Sequence, residues 1–447
     1  MKAFKAYDIR GVYDVDFTKD DVYKIGFFLP DLLKTGKILV GRDVRTSSPE
    51  IFEYLTKGIT DAGADVYDLG LATTPYVYWA TAAFNFDASV QITASHNSKE
   101  YNGMKISRTN AFPVGYDSGL NILEQQVMNG TPVPVDKKGK LIPFKQHEKY
   151  LEFFKPYIPD ISNLRVSIDC SNGMASLFIK QLLGVSPMYM FFEPDGTFPN
   201  HEANPLVPEN VAFLKEHVLK HKSDLGIIFD GDADRVMFVD EQGQFISPDL
   251  IIAVLAHYFA DKEKGVVLQD IRSSKAVGEY IARFGYTLSM WRVGRAYAAP
   301  KLKEIKGLYG GEFAGHYYFR DFNYSDSGIL ACLLVLDVVA AMKSKGVSVS
   351  QLIKDISSYY GSGEINYKIQ QKQEAMDALL AHFTHSEKPV AFYDFDGYRA
   401  DFEHWWFNVR PSNTEPYLRF LAEADDPALL ERVLEETNSI LKPFINQ

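Results

Sequence analysis

Three aspartates stand at alternate positions in Asp230-Gly-Asp-Ala-Asp-Arg235. Carboxylates this close repel one another unless a cation lies between them, and their oxygens can converge on one hard divalent ion. An all-oxygen ligand set suits Mg²⁺. Glu241, at the twelfth position from Asp230, gives the segment the outline of an EF-hand. That motif needs Gly at its sixth position, where this chain has Arg235, and it needs helical flanks. The flanks here, Leu225 to Phe229 and Val236 to Val239, are β-like, so the EF-hand is rejected. The pattern predicts Asp230, Asp232 and Asp234 as the ligands of one cation.

Three more polar loops carry chemistry. Thr93-Ala-Ser-His-Asn-Ser-Lys-Glu-Tyr-Asn-Gly-Met-Lys105 follows the apolar run Ala88 to Ile92. A hydroxyl at a strand end, in a loop with Gly103, is how a fold presents a reacting side chain, although a solvated or capping Ser fits the same pattern. Gly310-Gly-Glu-Phe-Ala-Gly-His316 places an acid and an imidazole between glycines that admit a ligand close to the backbone. Glu312 can accept from two adjacent sugar hydroxyls, and His316 can move a proton near neutral pH. A Gly-rich turn with a capping Glu reads alike. Arg410-Pro-Ser-Asn-Thr-Glu-Pro416 offers a guanidinium, two hydroxyls, an amide and backbone N–H groups, which match the oxygens of a phosphate monoester. Together the four loops point to a phosphorylated sugar.

The elements around them repeat. Lys37 to Asp43, Arg165 to Ser171 and Gly265 to Ser273 are each a short apolar run entering a polar loop with an Asp. Each precedes a helix-like stretch, Pro49 to Ala62, Ala175 to Leu183 and Ser274 to Phe284. Strand, polar turn and helix make the α/β unit, and three such units are predicted. From about residue 362 the pattern changes to consecutive strands flanked by helices at Lys372 to Phe383 and Pro427 to Lys442, a smaller α+β unit of largely antiparallel sheet. The expected divisions are 1–140, 141–247, 248–361 and 362–447.

The 447 residues have room for about three or four domains. A net charge of −11 argues against nucleic acid or an anionic membrane as the main partner. The two cysteines, Cys170 and Cys332, lack metal-ligand spacing and read as buried thiols in a reducing compartment. Residues 1 to 10 lack the apolar core of a secretory signal, and Ile329 to Met342 is too short to span a bilayer, so a cytoplasmic location is expected.

From Tyr7-Asp-Ile-Arg-Gly11 to Arg410-Pro-Ser-Asn-Thr-Glu-Pro416, the chain resembles the α-D-phosphohexomutases, in particular the bacterial phosphomannomutase/phosphoglucomutase branch. The resemblance implies three similar α/β domains with mixed sheets and a smaller C-terminal α+β domain around a central cleft. It implies transfer of phosphate between the 1 and 6 positions of mannose or glucose phosphate, with hexose 1,6-bisphosphate as activator and intermediate. Ser95 would be phosphorylated, with Asp230, Asp232 and Asp234 holding Mg²⁺ against that phosphate. Glu312 would grip the sugar hydroxyls, while Arg410, Ser412, Asn413 and Thr414 would hold the idle phosphate. Arg10, Asn97, Lys105 and Arg235 match positions lining the reaction centre, with Lys105 and His316 moving protons.

Four departures stand out against that family. Ala314 replaces a usual Ser, Arg295 a usual His, Arg272 a Lys and Ser98 a frequent Pro. With the phosphoserine, metal and phosphate loops intact, Arg272 and Arg295 are read as tuned substrate contacts. Three alternatives are weighed: a phosphatase with an Asp nucleophile, a non-catalytic sugar-phosphate sensor, and a phosphoglucosamine mutase. The last branch usually has Gly where Asn413 stands.

Overall fold

The computed structural model describes residues 1–412 and 417–445. Four sheets follow one another along the chain, and the first three share one strand order. In the first, Asp65–Leu71, Lys37–Arg42 and Ala88–Ile92 lie side by side and parallel, and Tyr101–Arg108 then turns back antiparallel to Ala88–Ile92. In the second, Met188–Met190, Val166–Asp169 and Leu225–Phe229 are parallel, with Val236–Asp240 returning antiparallel. In the third, Thr287–Trp291, Val266–Asp270 and Tyr309–Gly311 are parallel, with Tyr317–Phe319 returning. An outermost antiparallel strand completes this side of each sheet: Ile9–Val12, Phe245–Ile246 and Ser325–Asp326. The three α/β units expected from the strand, turn and helix pattern are therefore present, with mixed sheets. The fourth sheet is antiparallel throughout and centred on Trp405–Pro411 and Tyr417–Ala424.

This repetition sets where chemistry can occur. In each of the first three units one hairpin joins the last parallel strand to its antiparallel partner. Those hairpin loops contain Ser95, the three aspartates and Glu312. Arg410 likewise lies at the end of a strand, Trp405–Pro411, that pairs antiparallel with Tyr417–Ala424, Pro411 opposite Leu418.

The inner parallel strands are buried on both faces, as the all-buried Ala88–Ile92 and Leu225–Phe229 illustrate. The helix Gly328–Ser344 is apolar nearly all round and lies in the core that joins the first three units. Ser327 caps it by accepting from Leu330 N at 3.1 Å. Cys170 and Cys332 are buried free thiols. Among the described residues, no helix is long and apolar enough to cross a membrane.

Two expectations are corrected. The first sheet continues past residue 140, because Leu141–Pro143 pairs in parallel with Val66 to Asp68 and covers that edge. The sheet of the first unit thus reaches three residues past the division expected at 140/141. The helix expected from Ala175 to Leu183 is split into a 3₁₀ turn, Met174–Leu177, and a short helix, Ile179–Leu183. Phe178 at the break is fully buried against Tyr76 and Tyr150, and packing of that ring overrides local helix propensity.

Candidate active site

Ser95 sits just beyond the buried strand Ala88–Ile92 in the left-handed region, at φ +52°, which is strained for a residue other than Gly. Thr93 Oγ1 accepts from its backbone N–H at 2.9 Å. The Ser95 hydroxyl donates to Asp230 Oδ2 at 2.9 Å, across the junction of the first and second units. Close approach is possible because Gly231 has no side chain: a Cβ there would lie 2.6 Å from the Ser95 carbonyl oxygen.

The aspartates converge as their spacing predicts. Each is at most 1% exposed, and one oxygen from each lies within 4.8 Å of the others. Lys105 donates to Asp232 Oδ2 at 2.7 Å and also to Asp234. Thr74 donates to Asp232 as well. Burial pushes the Asp230 carboxyl well up, reinforced by Asp232 and Asp234. Burial would raise Asp234 too, but Lys105 and His316 outweigh it and hold that group low. Asp232 Oδ1 and Asp234 Oδ1 are buried without a hydrogen-bond partner. Hard, converging oxygens with orphaned lone pairs fit a divalent cation.

Around this cluster the charges are interlocked. Arg10 pairs with Asp8 and donates to Asn97 Oδ1 at 2.9 Å. Arg235 Nε donates to His316 Nε2 at 2.8 Å, and its Nη1 lies 2.6 Å from His96 Nδ1. His316 Nδ1 lies 2.7 Å from Asp326 Oδ2, so Nδ1 carries the proton and Nε2 the lone pair. Burial and then Arg235 hold His96 well below the ordinary imidazole range.

A second group of side chains comes from the third and fourth units. Glu312 is 2% exposed, accepts from Tyr318 OH at 2.6 Å and has its carboxyl raised by burial. Arg272 Nη2 donates to Asp270 Oδ2 at 2.7 Å and stands 3.9 Å from both Glu312 and Glu364. Arg410 is buried with Nε unpartnered; its nearest acid, Asp396, is 3.6 Å away. Ser412 N donates to Tyr417 O at 2.9 Å across the hairpin. Asn413 and Thr414 lie outside the described residues.

The structure thus gathers Ser95, Arg10, Asn97, Lys105, the three aspartates, Arg235 and His316 in one network, with Glu312, Arg272 and Arg410 forming the other. Arg295 is directed elsewhere. Its Nε donates to Asp326 Oδ1 at 3.0 Å, its Nη2 to Ala111 O at 2.6 Å, and its Cζ stacks 3.6 Å from the Tyr78 ring centre. It buttresses the acid behind His316. Asp326, Thr74 and His96 went unassigned in the sequence. Asp326 reaches His316 only through the pairing of Tyr318 with Asp326, and no local spacing signals that.

A buried serine bonded to a triple-aspartate site, accompanied by a second group of guanidinium and carboxylate side chains from the third and fourth units, fits an enzyme that handles phosphate esters. Models of the four phosphoglucomutase/phosphomannomutase domains match residues 1–131, 148–243, 247–360 and 364–439. The chain belongs to the phosphoglucomutase/phosphomannomutase family and is an enzyme of the phosphohexomutase class. It is 35% identical to a phosphomannomutase of Escherichia coli, over 99% of each chain. Against one of Methanocaldococcus jannaschii identity is 32%, covering 99% of this chain and 98% of the relative. A crystal structure of a phosphoglucomutase/phosphomannomutase family protein from Burkholderia thailandensis superposes with a TM-score of 0.86 at 25% identity, covering 99% of this chain and 97% of that one.

Proposed function

We propose that the enzyme moves a phosphoryl group reversibly between the 1 and 6 positions of a hexose phosphate, mannose or glucose, through phosphorylated Ser95 and a bisphosphorylated sugar. The hydrogen bond from the Ser95 hydroxyl to Asp230, inside a buried three-carboxylate site, carries this reading. Asp230, Asp232 and Asp234 hold one divalent cation, assigned as Mg²⁺. When bound, it neutralises charge on the oxygens of the transferring group. A related fold, the N-acetylphosphoglucosamine mutase of Aspergillus fumigatus, is known in complex with GlcNAc-6P and magnesium.

In the forward step the free sugar hydroxyl attacks the phosphorus on Ser95, and the bond from phosphorus to Ser95 Oγ breaks. His316 Nε2 takes the hydroxyl proton as Arg235 Nε, which donates to that nitrogen in the resting site, turns to the phosphoryl oxygens, and Asp326 on Nδ1 stabilises the imidazolium formed. Lys105, whose pKa the two aspartates raise against the lowering effect of burial, supplies positive charge and a proton at the departing oxygen. Arg10, Asn97 and Arg235 line this centre. Glu312 grips the sugar hydroxyls at C3 and C4, and Arg410, with Ser412, Asn413 and Thr414, holds the phosphate that is not reacting. The sugar then turns end for end, and its other phosphoryl group returns to Ser95.

Phosphopeptide mapping after treatment with hexose 1,6-bisphosphate tests the carrier, and phosphate found elsewhere than Ser95 sinks it. A coupled assay with mannose, glucose and glucosamine 1-phosphates tests the sugar. Preference for glucosamine phosphate would move the enzyme to the amino-sugar branch.

A further inference from the structure

Arg45 lies just beyond the strand Lys37–Arg42 and is 1% exposed. Its guanidinium is spent on the backbone of the serine loop. Nη1 donates to Ser98 O at 2.7 Å and Tyr101 O at 3.0 Å. Nη2 donates to Ser95 O at 2.9 Å and Asn97 O at 2.6 Å. Nε donates to Asp43 Oδ2 at 3.2 Å, so all five donors of the fork are used. Asp43 is itself fixed, because its Oδ1 accepts from Arg45 N at 3.0 Å and from Ser48 Oγ at 2.6 Å. Phe198 of the second unit closes over the guanidinium, with its ring centre 5.1 Å from Cζ.

Burying a cation costs several kcal/mol, and a hydrophobic residue could have packed here instead. Two features of the loop explain the guanidinium. Ser95 at φ +52° is a strained backbone that persists only where its surroundings over-determine it. The carbonyls of Ser95, Asn97 and Ser98 all turn inward to Arg45. Among the described residues no peptide bond is cis, so the next amides, of His96, Ser98 and Lys99, turn away from the guanidinium. Outward N–H groups beside the serine can receive an anionic group carried on it.

We propose that Arg45 is the positioning residue of the transfer step: it holds the Ser95 loop in its reactive shape without touching substrate. This rests on the reading of Ser95 as the phosphoryl carrier. A Lys cannot reproduce it, since three donors on one point cannot span four carbonyls and an acid.

The test compares wild type, Arg45→Lys and Arg45→Ala for kcat, KM and the rate at which phosphate on Ser95 is lost to water. Misplacement of a reacting group by about 1 Å lowers turnover about a hundredfold, so Arg45→Lys should lose about ten- to a hundredfold in kcat. KM should stay within about threefold, because binding is set in the third and fourth units. The Ser95 phosphate should be lost to water faster than in wild type. Millimolar methylguanidinium, a fork of the same shape, should restore part of the kcat of Arg45→Ala, and methylammonium should not. Arg45→Lys with kcat within about twofold of wild type, or with KM raised and kcat intact, overturns the inference. If Arg45→Ala does not fold, the kcat and KM of Arg45→Lys decide. Wild type bearing no phosphate on Ser95 overturns the carrier reading as well, a failure visible without any variant.

Discussion

The two halves of the site are built in opposite ways. Around Ser95, the charged groups are cross-linked to one another: Lys105 with two aspartates, Arg235 with two imidazoles, Arg10 with Asp8 and Asn97, leaving Arg10 Nε and one oxygen each of Asp232 and Asp234 without a hydrogen-bond partner. The phosphate-facing half is looser. Arg410 Nε has no hydrogen-bond partner and meets Asp396 only at 3.6 Å, while Arg272, held by Asp270 at 2.7 Å, meets Glu312 and Glu364 only at 3.9 Å. Interlocked charges are preorganised for a step that tolerates little reorganisation. A cation with unmet hydrogen-bond capacity can take up and release an anion. Damage to the first half should therefore appear in kcat and damage to the second in KM.

The largest effect is expected at the serine. Ser95→Ala removes the proposed carrier, and turnover in a coupled assay should fall by at least about a thousandfold. Sugar phosphate should still bind by calorimetry, since the binding face is untouched. A variant retaining a tenth of wild-type turnover would mean that another group carries the phosphoryl.

Removal of the cation comes next. Chelation should abolish turnover and Mg²⁺ should restore it. Thermal unfolding gives a second readout: a ligand at about a hundred times its Kd stabilises the fold by about 2.7 kcal/mol. Asp232→Asn should lose most of that Mg²⁺-dependent rise in Tm. Equal rises in the variant and in wild type would place the cation elsewhere.

A smaller and differently shaped effect is expected in the looser half. A charge-assisted hydrogen bond contributes about 1.5–3 kcal/mol, so Arg410→Ala should raise KM by roughly ten- to a hundredfold. It should leave kcat within about threefold, because the idle phosphate is held alike in ground and transition states. Bisphosphate should also accumulate in solution as regripping weakens. Unchanged KM with no leakage would reduce this hairpin to a plain turn.

What could be read from residue order follows the same division. Ser95, the aspartates and Glu312 were legible because each sits in a short hairpin loop next to an apolar strand, where type and spacing coincide. Asp326 was not, since its partnership with His316 runs across strands and a two-residue strand leaves no pattern. Arg295 shows the converse limit. Its place in the chain suggests a sugar contact, yet the nearby Asp326 and the Tyr78 face claim the guanidinium. The split at Phe178 and the first sheet's continuation to Pro143 likewise depend on packing between segments far apart in sequence. The common strand order of the first three sheets was visible only as a recurring strand, turn and helix pattern. Of the antiparallel return strands, which aim the loops, only Val236 to Val239 stood out in the sequence as a β-like run.

The smallest effect tests how the looser half is mounted. Glu423, on the strand Tyr417–Ala424 of the fourth sheet, accepts from Ser274 Oγ at 2.6 Å and Trp406 Nε1 at 2.9 Å. Ser274 caps the helix Lys275–Ala282 of the third unit, so this carboxyl sits in the junction between the two units. Burial, then the neighbouring Asp249, pushes its pKa up to about 7, with Arg399 opposing. Tyr359 and Asp249 also face the site, each raised chiefly by burial. A carboxyl raised on folding favours its protonated form in the docked state. Its stabilising contribution is thus complete below about pH 4.5 and is lost as pH rises through about 7. The junction should be firmest near pH 5 and weaker at pH 8, by at most about 3 kcal/mol. Thermal unfolding between those values should show the Tm of wild type falling relative to that of Glu423→Gln as pH rises, a comparison that cancels the opposite trend from His96, His217 and His257, which burial holds below the ordinary imidazole range. A Tm difference between the two that stays constant from pH 5 to pH 8 would mean that Glu423 does not set the junction's pH response.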